Sequence, residues 1–243
     1  MRVTVYGDVN CPFSYLASQR VDALLRQGAE VEWRAVEHDP ALAMTGTPSD
    51  RGPKACRRAL AEVRLLATAG ERAPEAPPTL VSNSFAATSA YAEAVTDGLE
   101  HELRRALFEA IWQRGQHLSS AYDVRDVVSA ISYPPHPIES YRCSPDRALP
   151  RFGDPTPLGI TRALGATTSF AGAPITTAGW LRARRWREDW LAVAAGNRSS
   201  LPVVVDEQGG VRSGTQALAF LAELGSTAGL PRAAIAADSA LAA

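Results

Sequence analysis

The sequence predicts an α/β protein whose sheet is interrupted by a long helical insertion. Three observations carry this. Strand, helix and strand patterns follow one another between Val3 and Ala35. Apolar spacing then becomes almost wholly helical from about Pro40 to about Pro174, and strand signals return only after Gly196.

Each element has its own justification. Val3 and Val5 alternate with polar neighbours, and Gly7 to Pro12 breaks that strand. Phe13, Leu16, Ala17, Val21, Leu24 and Leu25 then recur at helical spacing until Gly28, and Val31, Trp33 and Ala35 alternate again. This is a βαβ unit, which calls for a mostly parallel sheet with a right-handed crossover. In the insertion, Phe85, Ala92 and Val95 mark one helix, with Asn83 or Ser84 as its N-cap. Leu99, Leu103, Leu107, Ala110 and Ile111 mark a second, and Val124, Val127, Val128 and Ile131 a third, capped by Ser120 or Asp123. Residues 133–157 hold seven of the 17 prolines and read as a loop. Thr176 or Thr177 caps a helix carrying Ala183, Trp186, Trp190 and Val193, around which Arg182, Arg184, Arg185 and Arg187 form a solvated face. Leu201 to Val205, a Gly209-Gly210 turn, Val211 and a last helix with Leu218, Leu221 and Leu224 close the pattern. The expected organisation is a discontinuous core domain, 1–40 and 198–225, an inserted helical region, 41–197, and an alanine-rich tail, 226–243.

Of the 243 residues 46% are hydrophobic and 21% charged, a balance that excludes global disorder. The net charge of −1 gives no overall attraction to nucleic acid or to an anionic membrane, so the expected partners are small molecules or proteins. No apolar run is long enough for a membrane span, and the strand-like start at Val3 leaves no room for a signal segment, so the expected location is the cytoplasm. Only Lys54 among 25 basic residues is a lysine, a coding bias without functional content. The stripe of Trp186 and Trp190 suits either the sheet or a second subunit, which leaves a homodimer open.

Cys11, Cys56 and Cys143 are odd in number and widely spaced, which fits neither a disulfide framework nor a zinc site. His38, His101, His117 and His136 show no metal-ligand spacing, and Gly-x-Gly-x-x-Gly is absent, so no metal and no nucleotide are expected. The chemistry is carried by Cys11-Pro12-Phe13-Ser14, where the first strand gives way to the first helix. A helix N-terminus stabilises a thiolate, so the expectation is a Cys11 pKa below the free value of about 8.5. Pro12 suits the first turn because it has no donor to lose, and the Ser14 hydroxyl is placed to donate to the sulfur. Leu201-Pro202 opens a buried strand, where a proline needs an edge or a cis bond.

Asp8-Val9-Asn10-Cys11-Pro12-Phe13-Ser14-Tyr15 resembles the D-x-x-C-P-[WF]-[CS]-Y opening of the DsbA-like thioredoxin superfamily, in its FrnE-like and 2-hydroxychromene-2-carboxylate isomerase branch. The likeness extends through Trp33 to Pro40, Asn83-Ser84, Leu107 to Trp112, Leu201 to Asp206 and Ser213-Gly214. It implies a thioredoxin-like fold with an inserted α-helical domain, with Pro202 as a cis-proline facing Cys11. Cys11, Pro12, Ser14 and Pro202 are then the catalytic candidates, and Phe13, Leu201 and Asn83 the substrate-binding ones. Trp112 and Tyr15 are further candidates for apolar walls.

Ser14 stands where disulfide-forming members carry their second cysteine. The leading expectation is therefore a monothiol thiol-disulfide oxidoreductase that forms a mixed disulfide with a low-molecular-weight thiol or a protein. No tightly bound cofactor is implied; glutathione or another small thiol would be the cosubstrate. Two alternatives stand beside it. One is a kappa-class-like transferase or isomerase acting on an organic electrophile, and the other a redox-inactive binding module. Cys56 and Cys143 are candidate resolving thiols, Cys143 the better because its loop can move.

Overall fold

A computed structural model describes residues 2–48, 53–132, 177–194 and 200–228. Strand β1 (Arg2–Gly7), helix α1 (Pro12–Arg26) and strand β2 (Glu30–Ala35) form the opening unit. The insertion holds β3 (Thr47–Pro48), α2 (Pro53–Leu66), β4 (Leu80–Val81), α3 (Phe85–Asp97), α4 (Glu100–Trp112), α5 (Ala121–Ser132) and α6 (Thr177–Ala194). Strands β5 (Val203–Asp206) and β6 (Val211–Ser213) and helix α7 (Gly214–Ala228) complete it.

The main sheet has the order β2-β1-β5-β6. Strand β1 is central: Val5 lies opposite Trp33 on one side, in parallel register, and opposite Val204 on the other, antiparallel. The sheet is mixed, not mostly parallel as the βαβ opening suggests, because β5 and β6 are also antiparallel. The reason is local: Asp206 accepts at its side chain from the N–H groups of Gln208 and Gly210 and closes a turn too tight for any parallel connection. Strands β3 and β4 pair as a separate antiparallel ribbon, each too short to show alternation in the sequence.

Alternation along β2 sends its side chains to different helices. Trp33 meets the ring of Phe108 on α4 edge to face, 5.7 Å between centroids, while Arg34 reaches Asp189 on α6 at 2.8 Å. Helices α1 and α7 pack together and each also meets the sheet. Val3, Val5, Leu16, Val21, Leu24, Leu218 and Leu221 form the centre of the core, all buried; each such side chain contributes about 1.5–3 kcal/mol relative to exposure.

Two buried arginines fasten the insertion to α1. Arg104 on α4 donates to the carbonyl and hydroxyl of Ser18 and pairs with Asp22, and its guanidinium lies 5.3 Å from the Trp33 ring. Arg20 pairs with Glu71 at 2.8 Å and donates to the carbonyls of Leu66 and Leu218 at 2.7 Å each. Ser120 and Asp123 cap α5 reciprocally, the Asp123 carboxylate taking the Ser120 N–H at 2.9 Å. Helix α7 runs to Ala228, past the Gly225 where the tail was expected to begin. The proline-rich loop, Cys143, Thr176 and residues 229–243 of the tail lie outside the described residues. Cys56 falls on α2.

Candidate functional site

The candidate site is built at the carboxyl end of β1. The peptide from Asp8 to Asn10 turns there, with the Cys11 N–H bonded to the Asp8 carbonyl at 3.0 Å, and Cys11 becomes the N-cap of α1 with extended φ and ψ of −93° and 118°. Pro12 follows at the first helical position, where no donor is missed. The Trp112 indole N–H donates to the Val9 carbonyl at 2.8 Å and holds this turn against the insertion.

Across from it, the Leu201–Pro202 peptide is cis. The Gly214 N–H, at the start of α7, donates to the carbonyls of both Ser200 and Pro202, at 2.9 and 2.8 Å. Gly214 has φ +56°, and a Cβ there would lie 2.4 Å from the Ser200 hydroxyl, so glycine suits this position twice over. The Cys11 thiol donates to the Leu201 carbonyl oxygen at 3.6 Å.

Between these edges lies a cleft of about 390 Å³, walled by Pro12, Phe13, Leu42, Val81 and Leu201, with Asp8, Asn10, His38, Asp39 and Ser200 supplying its polar groups. Asp8 is 3% exposed and takes the N–H of Asn10 at 2.9 Å and of His38 at 2.7 Å, with the Ser84 hydroxyl at 3.4 Å. Burial pushes its carboxyl above the ordinary range, and those hydrogen bonds pull the other way. Glu37 is likewise pushed up by burial and by the charge of Asp8, with Arg187 opposing.

Burial also pushes the Cys11 thiol up, the reverse of the expectation from the helix N-terminus alone. The Ser14 hydroxyl and the N–H groups of Ser14 and Phe13 lower it, as a helix start should, but desolvation outweighs them and the Asp8 charge adds to it. The Ser14 hydroxyl is wholly buried and makes no hydrogen bond of ordinary geometry, so its electrostatic pull is available to the sulfur. Gly7 makes room here: a Cβ on it would lie 2.3 Å from the Trp33 ring and 3.2 Å from the Ser14 hydroxyl.

The fold thus gathers Cys11, Pro12, Phe13 and Leu201 around one cleft, with Ser14 and Pro202 buried directly behind it. Asn83 stands back from the cleft. Its carboxamide caps α3 by accepting the Phe85 N–H at 3.0 Å, and donates to the Leu42 carbonyl at 2.7 Å, so it holds a wall. Trp112 and Tyr15 belong to the core and do not line the cleft. Asp8, Asn10, His38 and Asp39 sit within the sequence stretches already singled out, but only their return to Cys11 in space marks them as part of the site. Leu42, Val81 and Ser200 carry no sequence signal. Among the described residues, no group of three or more His, Cys, Asp or Glu side chains converges as a metal site, and no helix is long and apolar enough to cross a membrane.

A strand-to-helix cysteine opposite a cis-proline, on a β2-β1-β5-β6 sheet with a helical insertion, defines a thioredoxin-fold protein of the DsbA type. The family model for the DsbA-like thioredoxin domain matches residues 2–133, and the chain belongs to that family. Family members include thiol oxidoreductases and isomerases. Among solved structures, the chain is similar to a probable DsbA oxidoreductase from Streptomyces coelicolor, at 18% identity and a TM-score of 0.60 over 94% of this chain and 89% of that one. It is similar to the cytosolic disulfide reductase DsbM from Pseudomonas aeruginosa, at 12% identity and a TM-score of 0.60, over 93% of this chain and 96% of that one. A 2-hydroxychromene-2-carboxylate isomerase matches at 15% identity and a TM-score of 0.54, over 92% of this chain and 93% of that one. No curated protein sequence matches the chain.

Proposed function

We propose that this protein is a monothiol thiol-disulfide oxidoreductase in which Cys11 alone performs the exchange. The observation that carries this reading is the pairing of Cys11 with a buried serine, Ser14, one helical turn on, at the mouth of an apolar cleft. Deprotonated Cys11 attacks one sulfur of a substrate disulfide, R–S–S–R. The S–S bond breaks, a Cys11–S–S–R mixed disulfide forms, and R–S⁻ leaves and takes up a proton. A second small thiol, as its thiolate, then attacks the R sulfur and expels the Cys11 thiolate, leaving a new disulfide. The first step releases one half of the substrate as a thiol and the second releases the other half within the new disulfide, so Cys11 is regenerated and no net electrons stay on the protein.

The raised thiol favours the reductive direction. A site that strongly stabilises its thiolate makes an oxidising disulfide, and burial removes that stabilisation here. Glutathione, present in one DsbM structure, is one small-thiol cosubstrate in this reading. Phe13 and Leu201 hold the apolar part of the substrate, Ser14 assists the leaving thiolate, Pro202 backs the cleft and Asn83 holds its Leu42 wall. A reducing cytoplasm is the compartment in which such a thiol stays available, and the dimer left open by the sequence is not required by this mechanism.

Intact mass after exposure to low-molecular-weight disulfides, with alkylation rates measured against pH, tests the proposal. One adduct is expected on the wild-type protein, absent from Cys11→Ser and released by a second thiol. An adduct that no thiol releases would favour transfer to an organic electrophile, and no Cys11 adduct at all would leave the binding-module reading.

A further inference from the structure

A second cleft, of about 300 Å³, lies behind the wall of the first. The segment Glu37 to Pro40 separates them: His38 and Asp39 face the Cys11 cleft, while Glu37 and Pro40 face the second, whose other walls are Phe85, Thr88, Ala183 and Trp180 and the arginines Arg184 and Arg187. The two arginines differ. Arg184 is engaged, with its Nε donating to Glu188 at 2.8 Å and its guanidinium 5.6 Å from the Trp180 ring. Arg187 makes no hydrogen bond or ion pair among the described residues, and its Nε is sealed from water without an acceptor. A buried guanidinium donor without a partner is costly, and a carboxylate is the acceptor that matches its planar fork. Glu37 lines the same cleft and feels the Arg187 charge, but no hydrogen bond or ion pair between the two is formed. An apolar, partly aromatic wall beside a guanidinium whose Nε has no acceptor is the pattern of a small amphipathic anion site, at the lower end of ligand-pocket sizes.

We propose that this second cleft binds a small organic carboxylate with an apolar body, its head on Arg187 and its body against Phe85, Ala183 and Trp180. The site uses none of the groups assigned to thiol exchange, so it stands or falls apart from that function.

Calorimetric titration of the full chain with octanoate and with the neutral octanamide tests it, alongside Arg187→Gln, Ala183→Phe and Cys11→Ser. The expected result is saturable octanoate binding, about tenfold or more weaker for octanamide and for Arg187→Gln, abolished by Ala183→Phe and unchanged in Cys11→Ser. Ala183→Phe fills the cleft and leaves both arginines in place, so it decides the matter if Arg187→Gln fails to fold. Equal binding of octanamide, undiminished binding to Arg187→Gln or Ala183→Phe, loss of binding in Cys11→Ser, or no octanoate binding would each overturn the proposal.

Discussion

The Cys11 sulfur and the Leu201 carbonyl oxygen, 190 positions apart in sequence, lie 3.6 Å apart across the cleft. A carbonyl can only accept, so the sulfur in this contact carries its proton, in agreement with the upward displacement of the thiol by burial. The resting protein holds a thiol that must lose its proton before it can attack, and the groups that govern that loss are open to mutation.

Asp8 raises the Cys11 pKa through its charge. Asp8→Asn is expected to move the pH profile of Cys11 alkylation to lower pH, with faster reaction at neutrality. The same change removes the carboxylate oxygen that takes the His38 N–H, so the melting temperature should fall with a loss of about 1–3 kcal/mol. An unmoved or upward-shifted profile would exclude this role.

Ser14 acts in the opposite sense. Its hydroxyl lowers the Cys11 pKa yet makes no structural hydrogen bond. Ser14→Ala should therefore slow alkylation at neutral pH and shift its profile upward while changing stability by less than about 1 kcal/mol. Iodoacetamide kinetics and a denaturant titration on one sample separate the two effects.

Gly7→Ala places a methyl group 2.3 Å from the Trp33 ring, which is itself packed against Phe108 and Arg104 and cannot yield freely. A destabilisation of about 1–3 kcal/mol is expected, with a change in tryptophan fluorescence. Wild-type stability in this variant would mean that the ring has somewhere to go.

How much of this was legible in advance differs between the sheet and the site. The Val3, Val5 and Val31, Trp33 alternations and the helical spacing of Leu16, Val21 and Leu24 encode their elements locally, and the structure follows them. The direction of β5 is not local: it depends on the return of the chain from the far side of the insertion, and only the Gly209-Gly210 turn constrained it. Cys11 and Pro202 could be marked from sequence because backbone position alone makes them special. The thiol's electrostatics could not, because the desolvation that decides them comes from the surrounding fold and the charge of Asp8, not from the helix that Cys11 caps.

Arg20 and Glu71 give a pH signature to the insertion. Arg20, with the Thr68 N–H, holds the Glu71 carboxyl below its ordinary value of 4.5 despite burial. A depressed acid contributes stability that is present above the ordinary value and is lost as pH falls through the folded one. Glu71→Gln should thus cost about 1–3 kcal/mol at neutral pH, with the gap to wild type closing in acid below about pH 4. Thermal melts of both proteins across pH 3 to 7 check this, and a gap independent of pH would remove the ion pair from the account.

The indole of Trp112 reaches from the insertion to the Val9 carbonyl, two residues before Cys11. A protein engineer who excised the helices to obtain a minimal version would therefore strip the reactive turn of its outside support, leaving a sheet that could still form and a cysteine with no fixed address. The insertion and the Cys11 turn are bound to be inherited, transplanted or lost together.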